Sequence, residues 1–258
     1  MKLKICLLLL MCFSCGGVFA QTPKSIEKDL LKSFDKIQNW NNSNFITPND
    51  TDQNSLDKAN NLLERKLIYY GKKYPSIINQ VFKKLGGLSV SSDDGLFNIF
   101  SWDTYTGGTQ HVFQTVVLYR SEKKASFLVD ATSLSDNYTD AYDTLYTLTI
   151  GNKNYYLVTY YQILDLHARG EGIRIFSIDN GKLNSQAKII KTKSGLTSKL
   201  YYQYDQTLTN ADIMSEVTIA YDPKEKTITF PVINENGRQT DNVITYKFTG
   251  KYFERVKN

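Results

Sequence analysis

YYLVTYYQILDLHARGEGIRIFSID, residues 155–179, decides how this chain is read. The first ten residues are apolar at both odd and even positions and rich in aromatic and β-branched side chains. That is the composition of a strand covered on both faces. DLHARGEG (165–172) is polar and glycine-bearing and reads as a loop, with GIRIFSI (172–178) as the returning strand. Two strands joined by a short loop make a hairpin, not a parallel crossover.

The same grammar extends outward from Leu88. Turn signals SDDG (92–95), SEKK (121–124), GNKN (151–154), DNGK (179–182), DPKEK (222–226), NENG (234–237) and TGK (249–251) separate short β-branched and aromatic runs. Val217, Ile219 and Tyr221 alternate with polar residues, as do Ile228, Phe230 and Val232, and Ile244, Tyr246 and Phe248. Each set reads as one face of a strand whose other face is wet.

Residues 21–87 carry a different period. Thr22 and Pro23 form a cap and first-turn pair ahead of Ile26, Leu30, Leu31, Phe34 and Ile37. Residues 39–54, rich in Asn and Asp, read as a loop. Leu56, Ala59, Leu63, Leu67 and Tyr70 predict a second helix ending at Gly71, and Ile77 to Leu85 a third. The expected class is α+β, mainly β. About three short N-terminal helices precede a large antiparallel β-meander over 88–258, packed together as one unit. The meander is a sheet, sandwich or barrel, with a degenerate β-propeller as the alternative.

The first twenty residues read as a secretory signal peptide. Lys2 and Lys4 precede an apolar stretch, Ile5 to Phe13, too short to span a bilayer. Cleavage is expected after Ala20. The competing reading is a lipid anchor at Cys15, which Cys12 and Phe13 disfavour: a lipobox prefers Leu and a small residue there. Cys6, Cys12 and Cys15 are the chain's three cysteines. A chain processed after Ala20 therefore has no disulfide, thiolate metal site or cysteine nucleophile. The expected location is the periplasm or outside the cell, with outer-membrane association as a variant.

The net charge is +5, two units of it from Lys2 and Lys4. The charges are mixed along the chain, so nucleic acid is an unfavoured partner. No later apolar run is long enough for a transmembrane helix.

Candidate chemistry gathers in two stretches. SWDTYTGGTQH (101–111) carries Trp102, Asp103, Tyr105 and His111, and DLHARGEG carries Asp165, His167, Arg169 and Glu171. Should the two loops converge, His111 and His167 with Asp103 or Glu171 could form a catalytic general-base or hydrolase site. Neither histidine has the fixed spacing of a zinc helix, and no G-x-S-x-G elbow, P-loop or EF-hand occurs. No metal and no cofactor is expected. DATSLSDNYTDAYD (130–143) gathers four aspartates and reads as a solvated loop rather than a glycosidase pair. The doublets Tyr155-Tyr156, Tyr160-Tyr161 and Tyr201-Tyr202 place one ring on each face of a strand. Their outward rings, with Trp102 and Tyr105, could build an aromatic platform. The leading expectation is an exported, non-enzymatic binding module for a carbohydrate, peptide or protein partner. The alternatives are the His111/His167 hydrolase and a structural component of an envelope assembly.

Overall fold

The computed structural model describes residues 22–44, 50–74, 89–120, 127–130, 140–208 and 218–256. The signal peptide, Cys15 and the expected third helix lie outside these residues.

Among the described residues there are two helices, α1 (Pro23–Asn44) and α2 (Asp50–Lys73). Thr22 caps α1 as its sequence predicts, its hydroxyl oxygen accepting from the Ser25 amide at 3.2 Å. The polar run 39–54 is not one long loop, because helix continues from both sides and leaves only 45–49 between. Intrahelical hydrogen bonds override the weak helix preference of Asn and Asp. Nor does Gly71 end α2. A Cβ there would lie 2.6 Å from Leu118 Cδ2, so glycine lets the last turn lie directly on the sheet.

The strands form three sheets rather than one meander. The first runs β1 (Ser89–Ser91), β2 (Phe97–Asp103), β3 (Phe113–Arg120) and β4 (Phe127–Asp130) in order. The second contains β5 (Ala141–Ile150), β6 (Lys153–Ile163), β7 (Ala168–Asp179) and β11 (Lys199–Asp205), with β8 (Lys182–Asn184) also on β7. The third holds β9 (Ile190–Thr192), β10 (Gly195–Thr197), β12 (Ala220–Asp222), β13 (Thr227–Ile233), β14 (Gln239–Phe248) and β15 (Phe253–Arg255). Pairing is antiparallel except between β15 and β9, which run parallel.

Side-chain alternation shows how the layers stack. Phe100, Trp102, Val116 and Leu118 face the helices, joining Ile26, Leu30, Ile37, Leu56, Leu63 and Leu67. On the reverse face Phe97, Ile99, Val117 and Tyr119 meet Tyr156, Val158, Tyr160 and Phe176 of the second sheet. That sheet's other face sends Leu157, Ile173, Ile175, Leu200 and Tyr202 against Ile190, Tyr221, Ile228, Tyr246 and Phe253 of the third. The order is helices, first sheet, second sheet, third sheet. So 156–160 is buried on both faces, as the composition of the run predicts, between the first and third sheets, while Tyr161 near its end stays exposed.

Asn60 pins the helices to the first sheet. Its amide donates to the Thr104 carbonyl at 3.0 Å, and its oxygen accepts from Trp102 Nε1 at 2.9 Å. Between the helices, Asp29 accepts from Lys66 at 2.8 Å and Tyr70 at 2.6 Å. Burial pushes the Asp29 carboxyl up, but those two hydrogen bonds outweigh it and hold it below the usual carboxylate range. A depressed folded pKa adds stability that is complete above the unfolded value of about 4 and fades as pH falls through the folded one. Acid titration followed by circular dichroism should therefore show a destabilisation below about pH 4 that Asp29→Asn reduces. An unchanged acid limb in that variant would refute the assignment.

Candidate functional site

Asp103 ends β2 and organises the loop that follows. Its Oδ1 accepts from the Tyr105 amide at 2.8 Å, and its Oδ2 lies 2.5 Å from His111 Nδ1. The first contact fastens the turn that sets Tyr105 at φ 55°. The loop reaches the long hairpin through its backbone: the His111 amide donates to the Ile163 carbonyl at 3.0 Å. The His111 ring lies beside Phe113, centroids 6.3 Å apart, and Phe113 meets Tyr161 edge-on at 5.8 Å.

The hairpin itself is tighter than its sequence suggests. β6 continues to Ile163 and β7 begins at Ala168, so only 164–167 form the turn. Arg169 and Glu171 are strand residues, paired with Ile163 and Tyr161. The glycines that suggested a loop serve close approach instead. A Cβ on Gly172 would stand 2.3 Å from Tyr160 Cζ, and one on Gly170 2.6 Å from the Tyr201 hydroxyl.

The two expected loops thus meet through main chain and rings, but the two histidines serve different local networks. His111 is held by Asp103. His167 sits exposed in the turn, where its amide and that of Ala168 each donate to Asp165 Oδ1 at 2.7 Å. Those bonds hold the Asp165 carboxyl below its usual range. Arg169 donates back to the Asp165 carbonyl at 2.6 Å. Among the described residues no three His, Cys, Asp or Glu side chains gather as a metal site would require. Trp102 is 1% exposed in the helix-facing core, so it offers no ligand surface. The outward rings do not build one platform either: Tyr161 and Tyr201 are 41% and 42% exposed but project from opposite faces of the second sheet.

Two concavities open beside this hairpin. One, of ≈ 450 Å³, lies between the turn and the β13–β14 connection and includes Asp165, His167, Asp205 and Glu235. The other, of ≈ 320 Å³, opens on the face of the second sheet that packs against the third. Thr159 and Tyr161 of β6, Arg169 and Glu171 of β7, and Tyr204 of β11 line it. Asp143 stands at its β5 wall and Thr218–Ile219 close the far side.

The polar groups of this second cavity are ordered by one another. The Thr159 hydroxyl donates to Asp143, and the Tyr202 hydroxyl to Glu171. Glu171 also accepts from the Tyr204 hydroxyl at 3.2 Å and the Ile219 amide at 3.1 Å. Burial, then the Asp143 and Asp103 carboxylates, push the Tyr161 phenol up, so it stays a neutral donor. Burial, then Glu171, does the same to Tyr202, more strongly.

Of the residues singled out from sequence, Arg169 and Glu171 line this cavity, Asp165 and His167 line the other, and Asp103, Tyr105 and His111 form the neighbouring clamp. Sequence reading missed Thr159 and Tyr204, placed Asp143 in a solvated loop, and singled out Tyr161 only as one ring of a tyrosine doublet. Period-2 alternation does put Thr159, Tyr161 and Ile163 on one face. Asp143 carries no such signal, because a register shift between Tyr142 and Thr144 re-aims it.

The reverse face holds a network that the reading of 130–143 as a solvated loop also missed. Asp140 is 4% exposed. It accepts from Gln162 at 2.5 Å and Tyr142 at 3.3 Å and faces Arg174 at 3.4 Å. Asp130 shows only its place at the end of β4, and Asp136 lies outside the described residues.

No described helix is long and apolar enough to cross a membrane. No protein-family model, curated protein or solved structure gives a significant match to the chain.

Proposed function

We propose that the protein is an exported binding module that takes a carbohydrate in the cavity over Tyr161. One observation carries this reading: a half-exposed aromatic ring stands beside fixed carboxylate acceptors in a concavity of ≈ 320 Å³. That volume falls within the usual range for small-ligand sites. Pyranose rings present an apolar C–H face and a rim of hydroxyls. Tyr161 offers the matching flat surface, and Asp143, Glu171 and Arg169 offer charged hydrogen-bond partners for the rim. Export is supported by the leader sequence, and the bacterial envelope by the absence of cysteine after Cys15.

The hydrolase alternative has one favouring observation, the Asp103–His111 pair. A carboxylate on Nδ1 orients an imidazole as a general base requires. Neither residue lines the cavity, however, and the pair already clamps the 104–112 loop.

Calorimetric titration with soluble oligosaccharides, after a glycan-array screen, tests the proposal. Tyr161→Ala should weaken binding at least about tenfold with little change in Tm. His111→Ala should do the reverse, lowering stability by about 1 kcal/mol while leaving affinity intact. Full affinity in Tyr161→Ala would overturn the site. Turnover of a bound glycan that His111→Ala abolishes would replace binding by hydrolysis.

A further inference from the structure

β5 is an edge of the second sheet, and among the described residues no strand pairs with its outer side. Edge strands of ten residues are usually blunted by charge, proline or a bulge, since their free amides and carbonyls template another strand. Here the protection stops early. The register shift falls at Asp143, which is also the only charged residue of the strand. Beyond it TLYTLTI, residues 144–150, has no charge, proline or glycine and is mostly β-branched or aromatic. Such a segment is strongly disposed to pair.

We infer that this edge is a homotypic interface: two copies pair antiparallel through residues 144–150 about a two-fold axis at Thr147, joining their second sheets into one. The choice of a second copy rests on self-complementarity. An axis at Thr147 sets Thr144 opposite Ile150, Leu145 opposite Thr149 and Tyr146 opposite Leu148. Because the axis is perpendicular to the sheet, like faces stay on like sides. Tyr146 and Leu148, which pack toward the third sheet, therefore meet each other across the axis, while Ile150 lies opposite Thr144 and diagonal to Tyr146 of the other copy. The ends match as well. Asp143 at the register shift falls opposite Gly151 in the hairpin turn, so each copy's bulge meets the other's turn and the stretch is closed at both ends.

Cysteine cross-linking tests both the dimer and its register, in a chain with Cys6, Cys12 and Cys15 changed to Ser. Thr147→Cys should form a disulfide-linked dimer on mild oxidation, since directly opposed residues lie within disulfide reach. Thr149→Cys should not, because its mate faces Leu145. Sedimentation velocity over about 1–100 µM should show a reversible dimer of the unmodified protein. Thr149→Lys, at a position exposed in the single copy, should raise the dimer Kd about 100-fold while Tm of the monomer is kept. A protein monomeric throughout that range overturns the inference. So does a dimer indifferent to Thr149→Lys, or one cross-linked through residue 149 and not 147.

Discussion

Gly172→Ala is expected to lower stability by about 3 kcal/mol, an unusual cost for one added methyl group. The reason is steric. The new Cβ would lie 2.3 Å from Tyr160 Cζ and 2.4 Å from its hydroxyl oxygen, well inside any contact distance. Tyr160 has nowhere to go. Its ring is 3% exposed and packs 5.8 Å from the Tyr142 ring in the core between the first and second sheets. Either the ring leaves its rotamer or β7 moves off β6, and both break packing of crystalline density. Denaturant unfolding measures the loss. Adding Tyr160→Leu, which lacks Cζ and the hydroxyl, should recover part of it, and the cycle isolates the clash. If Gly172→Ala unfolds with the wild-type midpoint, β7 and β6 are not held as described.

Asp140→Ala should cost about 3–5 kcal/mol, the range for breaking a buried ion pair from one side. The carboxylate is the shared acceptor of Gln162 and Tyr142 and the anion facing Arg174, whose side chain is 10% exposed. Removing it leaves the guanidinium buried without that charge. The cost should be insensitive to added salt, because buried pairs are little screened. Asp140→Asn keeps an acceptor and should cost less. Burial, with Asp140 adding to it against Arg174, also pushes the Tyr142 phenol far up, so the tyrosine remains a donor. A surface-like effect, under about 0.5 kcal/mol for Asp140→Ala, would be incompatible with this network.

Both sites show where sequence reading stops. The GEG of 170–172 reads as loop because glycine is rare in strand interiors. Only the packed neighbours Tyr160, Tyr201 and Gln162 reveal that the glycines make room. Asp140 stands in a polar, aspartate-rich run, and a buried charge is the less frequent outcome for such a residue. Nothing local in sequence announces Arg174, 34 positions on, as its partner. The candidate cavity has the same character. Arg169 and Glu171 were legible as unusual residues near a hairpin turn. The group around them comes from β5, β6, β7 and β11, and no spacing rule links residues that far apart.

Only local features follow from the residues in chain order. Period-2 runs and turn residues mark the β-strands, and Thr22-Pro23 marks the start of α1. The dihedral and hydrogen-bonding preferences behind these signals act within a few residues. Long-range packing sets the division of the strands among three sheets, the layer covering each face, and which tyrosine of each doublet is buried. A strand's alternation says that its two faces differ or agree. It does not say what will lie against them, because that depends on distant segments competing for the same apolar surface.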